Sequence, residues 1–179
     1  MINTKNLLQK YYDKNGEAYK ILLDHSLAVA QKSLEIARRN PQENFDLVFV
    51  EEAAMLHDIG VFLTNKPRIF CFGEKPYICH NYLGAEILCK EGLPKHALVC
   101  ERHTGTGISR AQIERENLPL PHRDMLPVSP EEQLICFADK FFSKSQVEKE
   151  HSIDEIRKDL SKFGAETLAR FDAWNERWN

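Results

Sequence analysis

No apolar run in this chain is long enough to cross a bilayer. Stretches such as Leu47-Val48-Phe49-Val50 fall far short of the ~20 residues a spanning helix needs. Glycine and proline number only eight each and no segment is poor in apolar residues, which excludes collagen-like, mucin-like and disordered chains. A surplus of positive charge is also missing. The 24 Lys and Arg residues face 27 Asp and Glu, leaving a net charge of −3, which argues against a general nucleic-acid or membrane-surface binder. The five cysteines (Cys71, Cys79, Cys89, Cys100, Cys136) are odd in number and form no C-x-x-C pair. They read as small buried apolar residues in a reducing compartment, not as a disulfide framework. The opening residues Met1 to Asn6 lack the apolar segment of a signal peptide, so the expected location is cytoplasmic.

What is present is ordinary in bulk: 179 residues, 42% hydrophobic and 28% charged, which fits one domain over 1–179. A chain of this size buries roughly 70% of its unfolded surface, enough for a core without staples. Strand signals are scarce and the expected class is all-α. Helical periodicity predicts segments at about 4–13, 16–40 and 46–59, with Pro41 and Gly60 as stops. Residues 61–78 carry Pro67, Gly73 and Pro76 without a period and read as a long loop. Two helices follow, 79–91 and 94–103. Three capping boxes then announce helices, at Ser109/Gln112, Ser129/Glu132 and Ser152/Glu155. Between the first two, four prolines in 118–127 forbid a helix and predict an extended crossing. The last helix, about 152–178, carries an apolar stripe of Ile153, Ile156, Leu160, Phe163, Leu168, Phe171 and Trp174. That stripe admits a homodimer seam, but packing onto the ligand-bearing core at 16–145 is the simpler expectation.

Polar residues intrude on the inward faces. His25 shares a stripe with Ala18, Leu22 and Val29; His57 follows Leu47, Val50 and Ala54, with Asp58 beside it. His80 lines up with Leu83 and Ile87, and Gly84 one turn on leaves room for a close neighbour. His103 falls in line with Val99 and Cys100, and Asp139 with Ile135, Ala138 and Phe142. One histidine on an apolar face is ordinarily a hydrogen-bonded core residue. A buried carboxylate is harder to account for, because without a partner it costs several kcal/mol at least. Two such carboxylates and four imidazoles call for a shared partner, and a metal ion accepts both ligand types. His96, His122 and His151 lack this placement and read as solvated or peripheral.

The run Leu56-His57-Asp58-Ile59-Gly60 resembles the HDIG signature of the HD superfamily of metal-dependent phosphohydrolases. The ordered set His25, His57-Asp58, His80, His103, Asp139 carries the resemblance over residues 25–139. It implies a compact α-helical domain in which His25, His57, Asp58 and Asp139 bind one metal. His80 and His103 match the added ligands of two-metal branches, with Asp58 bridging. Similarity to the symmetrical diadenosine tetraphosphatases rests on His80 before Gly84-Ala85 and on His103-Thr104-Gly105. Similarity to small predicted HD hydrolases rests on Leu118-Pro119-Leu120-Pro121 and Glu131-Glu132 with Ala138-Asp139-Lys140. The chain departs from many relatives at Val61, where they carry Lys.

The expected reaction is hydrolysis of a small nucleotide or other phosphorylated metabolite. Two divalent transition ions, about 3.5–4 Å apart, would activate a bridging water as the nucleophile. Four imidazoles argue against a pure Mg²⁺ site and admit Fe, Mn, Co, Ni or Zn. Asp58 would orient the water as well as bind. Among the cations that could hold phosphate (Lys66, Arg68, Arg102, Arg110, Arg123, Lys140), Lys140 is chosen for its place beside a ligand. Some HD relatives are di-iron oxygenases with a similar ligand set, which is the alternative chemistry; a non-catalytic nucleotide-binding domain is a third reading.

Overall fold

Side-chain caps open most of the helices in the computed structural model, which describes residues 2–146 and 148–178. Nine α-helices occur among these residues: α1 (Thr4–Leu8), α2 (Glu17–Arg39), α3 (Leu47–Leu56), α4 (His80–Lys90), α5 (Pro94–Arg102), α6 (Arg110–Arg115), α7 (Pro130–Asp139), α8 (Ile153–Leu160) and α9 (Ala165–Trp178). Asp46 accepts from the amides of Val48 and Phe49 to start α3, and Ser109, Ser129 and Ser152 cap α6, α7 and α8. The all-α expectation holds. Among the described residues the strands are two of two residues each, β1 (Asn65–Lys66) and β2 (Cys71–Phe72), paired antiparallel. No helix is long and apolar enough to cross a membrane among them.

Helices α2, α3, α5 and α7 pack around one core, where Val29, Ile36, Val50, Leu134 and Phe137 are buried together. Phe171, Trp174 and Trp178 of α9 join the same cluster, so the C-terminal stripe is buried against its own chain. A second cluster joins Leu8, Tyr12 and Leu22 to Leu56, Ile59 and Leu88. The proline-rich crossing is non-helical as expected, but it bends at residues 119–120 and 122–123 instead of running extended, before Met125 exchanges two backbone hydrogen bonds of 2.9 Å with Ile108.

Several expectations are corrected. The last helix is two, because Gly164 adopts φ +109° and breaks the chain after the 3₁₀ turn Ser161–Phe163. Phe163 consequently leaves the stripe and is 59% exposed. The opening helix stops at Leu8, and Tyr12 turns away to donate its hydroxyl to the Ile59 carbonyl. The supposed loop at 61–78 contains the β1–β2 hairpin and three 3₁₀ turns. Only Ser152/Glu155 is a reciprocal capping box; Glu132 instead accepts from Arg102 and the Val128 amide, and Gln112 reaches Glu116. All five cysteines are free, but Cys89 is exposed.

Two glycines bring the pieces of the site together. The turn after α3 lies directly on α4, so that a Cβ on Gly60 would sit 2.3 Å from the His80 carbonyl oxygen and 2.5 Å from the Gly84 amide nitrogen. A Cβ on Gly84 would strike Cys100 Sγ at 2.5 Å. Backbone therefore meets backbone, and no side chain fits between Asp58 and His80.

Candidate metal centre

Five of the six candidate ligands sit at helix ends and not mid-face as the periodicity implied. His57 caps the C-terminus of α3 and Asp58 follows in the turn; His80 opens α4, His103 caps α5, and Asp139 closes α7. Only His25 lies in the interior of a helix, α2. All six are buried. Their ligand atoms converge in two groups, His25–His57–Asp58–Asp139 and Asp58–His80–His103, each with atoms within 4.8 Å of one another. Asp58 belongs to both. Its Oδ2 lies 3.3 Å from His25 Nε2 and 3.0 Å from His57 Nε2, and its Oδ1 lies 3.3 Å from the Nε2 atoms of His80 and His103. Asp139 Oδ1 completes the first group, 3.0 Å from His25 Nε2 and 3.4 Å from His57 Nε2.

The backbone sets the tautomers. Nδ1 of His57, His80 and His103 each donates to the carbonyl three residues earlier (Ala54, Tyr77 and Cys100) at 2.6, 2.6 and 2.7 Å. In the neutral ring this leaves Nε2 as a lone pair aimed at the centre. His80 and His103 point those lone pairs at each other across 3.2 Å. Burial keeps both neutral, His80 down to about 3, despite the attraction of Asp58. Two neutral acceptors facing each other and a carboxylate oxygen have no proton to share, and this is the donor set a cation satisfies.

His57 differs. Burial opposes its charge, but Asp58 and Asp139 outweigh it and raise the ring to about 9. In the metal-free protein at pH 7 a proton on Nε2 therefore takes the cation's place, and metal must displace it. Metal binding at pH 7 is expected to release about one proton per chain from His57. Calorimetric titrations in buffers of different ionisation enthalpy measure this, and the release should vanish in His57→Ala. Both Asp58 and Asp139 stay well below the usual carboxylate range: burial resists ionisation, but His57 and Lys144 at Asp58, and Lys140 at Asp139, prevail.

Two lysines complete the wall. Lys140 Nζ lies 2.7 Å from Asp139 Oδ2 and donates to the His103 carbonyl at 3.3 Å. Lys144, which the sequence reading missed, places Nζ 2.5 Å from Asp58 Oδ2. Even so, neither Asp58 oxygen receives an aligned hydrogen bond, and His57 Nε2 is likewise buried without one. Orphaned atoms of this kind fit a metal site. A cleft of about 400 Å³ opens on Asp139, lined by Lys66, Arg68, Lys140, Lys144, Tyr77 and His151 among others. Tyr77 stacks on His80 at 4.7 Å and was also missed. Lys144 lies beyond the end of α7, where no periodic signal pointed to it.

The remaining candidates lie elsewhere. Arg102 pairs with Glu132, Arg110 with Glu114 and Arg123 with Glu101, none of them lining the cleft. His96 is buried against Phe49 and 3.4 Å from Glu52, so it is not solvated. His122 is exposed near Glu114.

Comparison with known proteins agrees with this geometry. The HD domain family model matches residues 22–143. An uncharacterized protein of Methanocaldococcus jannaschii is 34% identical over 145 residues, covering 79% of this chain and 78% of that protein. A tRNA (cytidine(56)-2'-O)-methyltransferase of Picrophilus torridus is 31% identical over 135 residues, 75% of this chain but only 35% of that longer protein. No solved structure matches.

Proposed function

Because the chain belongs to the HD-domain family, a superfamily of metal-dependent phosphohydrolases, we propose that it hydrolyses a small phosphorylated molecule, a nucleotide or related metabolite, at a two-metal centre. The observation that carries this is the facing pair His80–His103 on Asp58 Oδ1, a second ligand group beside His25–His57–Asp58–Asp139. Bound divalent transition ions (Fe, Mn, Co, Ni or Zn) would acidify a water and draw charge from the phosphoryl oxygens.

The chain's own residues do the rest. Asp58 presents one oxygen to each ligand group and so couples them. The carbonyls of Ala54, Tyr77 and Cys100 keep three imidazoles from rotating. Lys140 and Lys144 neutralise Asp139 and Asp58 and stand in the cleft wall beside Lys66 and Arg68, where an incoming phosphate meets several cations. This supply of cations stands in for the Lys that many relatives carry at the position of Val61, and it supports an anionic, phosphorylated substrate. Lys140→Ala and Lys144→Ala are each expected to lower kcat/KM by about 10²-fold, the scale of losing one charge-stabilising donor, with metal content retained. Steady-state phosphate release measures the first and elemental analysis the second. The reading itself is tested by phosphate release from a panel of phosphomonoesters, phosphodiesters and nucleotides with Mn²⁺- or Fe²⁺-loaded protein. A silent panel at full metal occupancy overturns it, and oxygen consumption by the iron form would mark the alternative.

A further inference from the structure

Behind the cationic cleft lies a second cavity of about 340 Å³, within the range of small-molecule sites. Ile78, Ile108, Leu118, Leu160 and Phe163 give it an apolar lining. The two spaces are back to back. Lys140 lines both, and two pairs of chain neighbours contribute one residue to each: Tyr77 and Asp159 to the cleft, Ile78 and Leu160 to the cavity. Thr104, next to His103, lines the cavity with a buried hydroxyl that has no hydrogen-bond partner. Gly105 stands beside it at φ +62°, and a Cβ there would meet nothing within 4 Å, so this wall is left open. From the last helix, Arg170 donates to the carbonyls of Thr106 and Gly107, and the Thr106 hydroxyl donates to the Thr167 carbonyl. The loop 104–107 is thereby held in place. On the rim, Glu116 accepts from Gln112 through Oε2 at 3.4 Å and from Arg115 through Oε1 at 3.0 Å, so the edge of a ligand would meet the remaining lone pairs of these oxygens.

We propose that this cavity seats the organic half of the substrate, a planar heterocycle with N–H donors, while the cleft on the other side of Lys140 takes its phosphate. The inference rests on the phosphohydrolase reading. An apolar lining takes the faces of a ring, and Gln112 and Glu116 on the rim take its polar edge. Lys140, between the two spaces, stands at the junction of ring-bearing group and phosphate.

The test compares the four nucleoside 5'-monophosphates with ribose 5-phosphate, which lacks only the heterocycle. The best nucleotide is expected to exceed ribose 5-phosphate in kcat/KM by on the order of 100-fold, the value of burying a ring. Leu118→Trp, which fills the cavity, should bring that ratio toward one. Glu116→Ala, an exposed change with no place in the core, should reduce it by about fivefold, the scale of one lost hydrogen bond. A wild-type ratio near one, or a ratio unmoved by both variants, overturns the assignment. If neither compound is hydrolysed, these phosphomonoesters are excluded as substrates and the cavity is left to be decided by binding. Calorimetric affinities of wild type and both variants for nucleotide and ribose 5-phosphate then decide the cavity by the same ratios.

Discussion

Asp58→Asn should lose metal from both ligand groups and reduce turnover by on the order of 10³-fold or more, although the side chain keeps its shape. The reason is its position. Oδ2 faces His25 and His57 while Oδ1 faces His80 and His103, and Asp58 is the one residue that offers a candidate ligand atom to both groups among the described residues. An amide supplies one weaker oxygen and turns its NH₂ toward imidazole nitrogens that already serve as acceptors or need a cation. The change also removes the carboxylate that neutralises Lys144, leaving a buried ammonium with a poorer partner. Elemental analysis and phosphate-release rates on the same preparation check both effects. His96→Gln is the contrast: His96 is equally buried but pairs with Glu52, and its loss should leave metal content unchanged. Equal metal in Asp58→Asn and wild type would remove Asp58 from the centre.

Gly60→Ala should be strongly destabilising. The added methyl would lie 2.3 Å from the His80 carbonyl oxygen, 2.5 Å from the Gly84 nitrogen and 2.8 Å from the Gly84 Cα. All three are backbone atoms, which cannot rotate aside as a side chain can. Helix α4 must move away, at a cost of about 3 kcal/mol for overpacking a tight interior. In a domain of this length that lowers the midpoint of thermal unfolding by about 6–12 °C. Because His80 opens α4, the same displacement pulls its imidazole from Asp58 Oδ1, so metal content should fall as well. Gly16→Ala, whose methyl would meet Asp13 alone, at 3.2 Å and beyond, is the matched control with little expected effect. Calorimetry of both variants settles the comparison; equal midpoints would mean that the turn and α4 are not in contact.

The convergence of the six candidate ligands was legible because each carries a chemical oddity that sequence displays: an acid or imidazole in an apolar setting. Cap residues were equally plain, since Ser109, Ser129 and Ser152 act within three residues of themselves. Periodicity misplaced the ligands onto helix faces, because it does not register where hydrogen bonding gives way. Helix α3 ends at Leu56, and the bonds of Ile59 to Leu56 and Val61 to Asp58 are already of the tighter turn type. The break at Gly164 was hidden for a related reason: apolar residues continue on both sides, and one glycine at positive φ redirects the chain. Lys144 and Tyr77 lie outside the α-helices, on segments without a period, and reach the site only through tertiary packing. The β1–β2 hairpin, two residues to a strand, is too short for alternation to show.

On the reading proposed above, six buried side chains hold two transition ions. Elemental mass spectrometry on protein purified without added metal, and again after loading with Mn, Fe, Co, Ni or Zn and removal of excess, tests it directly. Two ions per chain are expected, falling to none in Asp58→Asn. One ion would confine the centre to His25, His57, Asp58 and Asp139 and release His80 and His103 from it. A wild-type chain that retains no metal under any of these conditions would contradict the account.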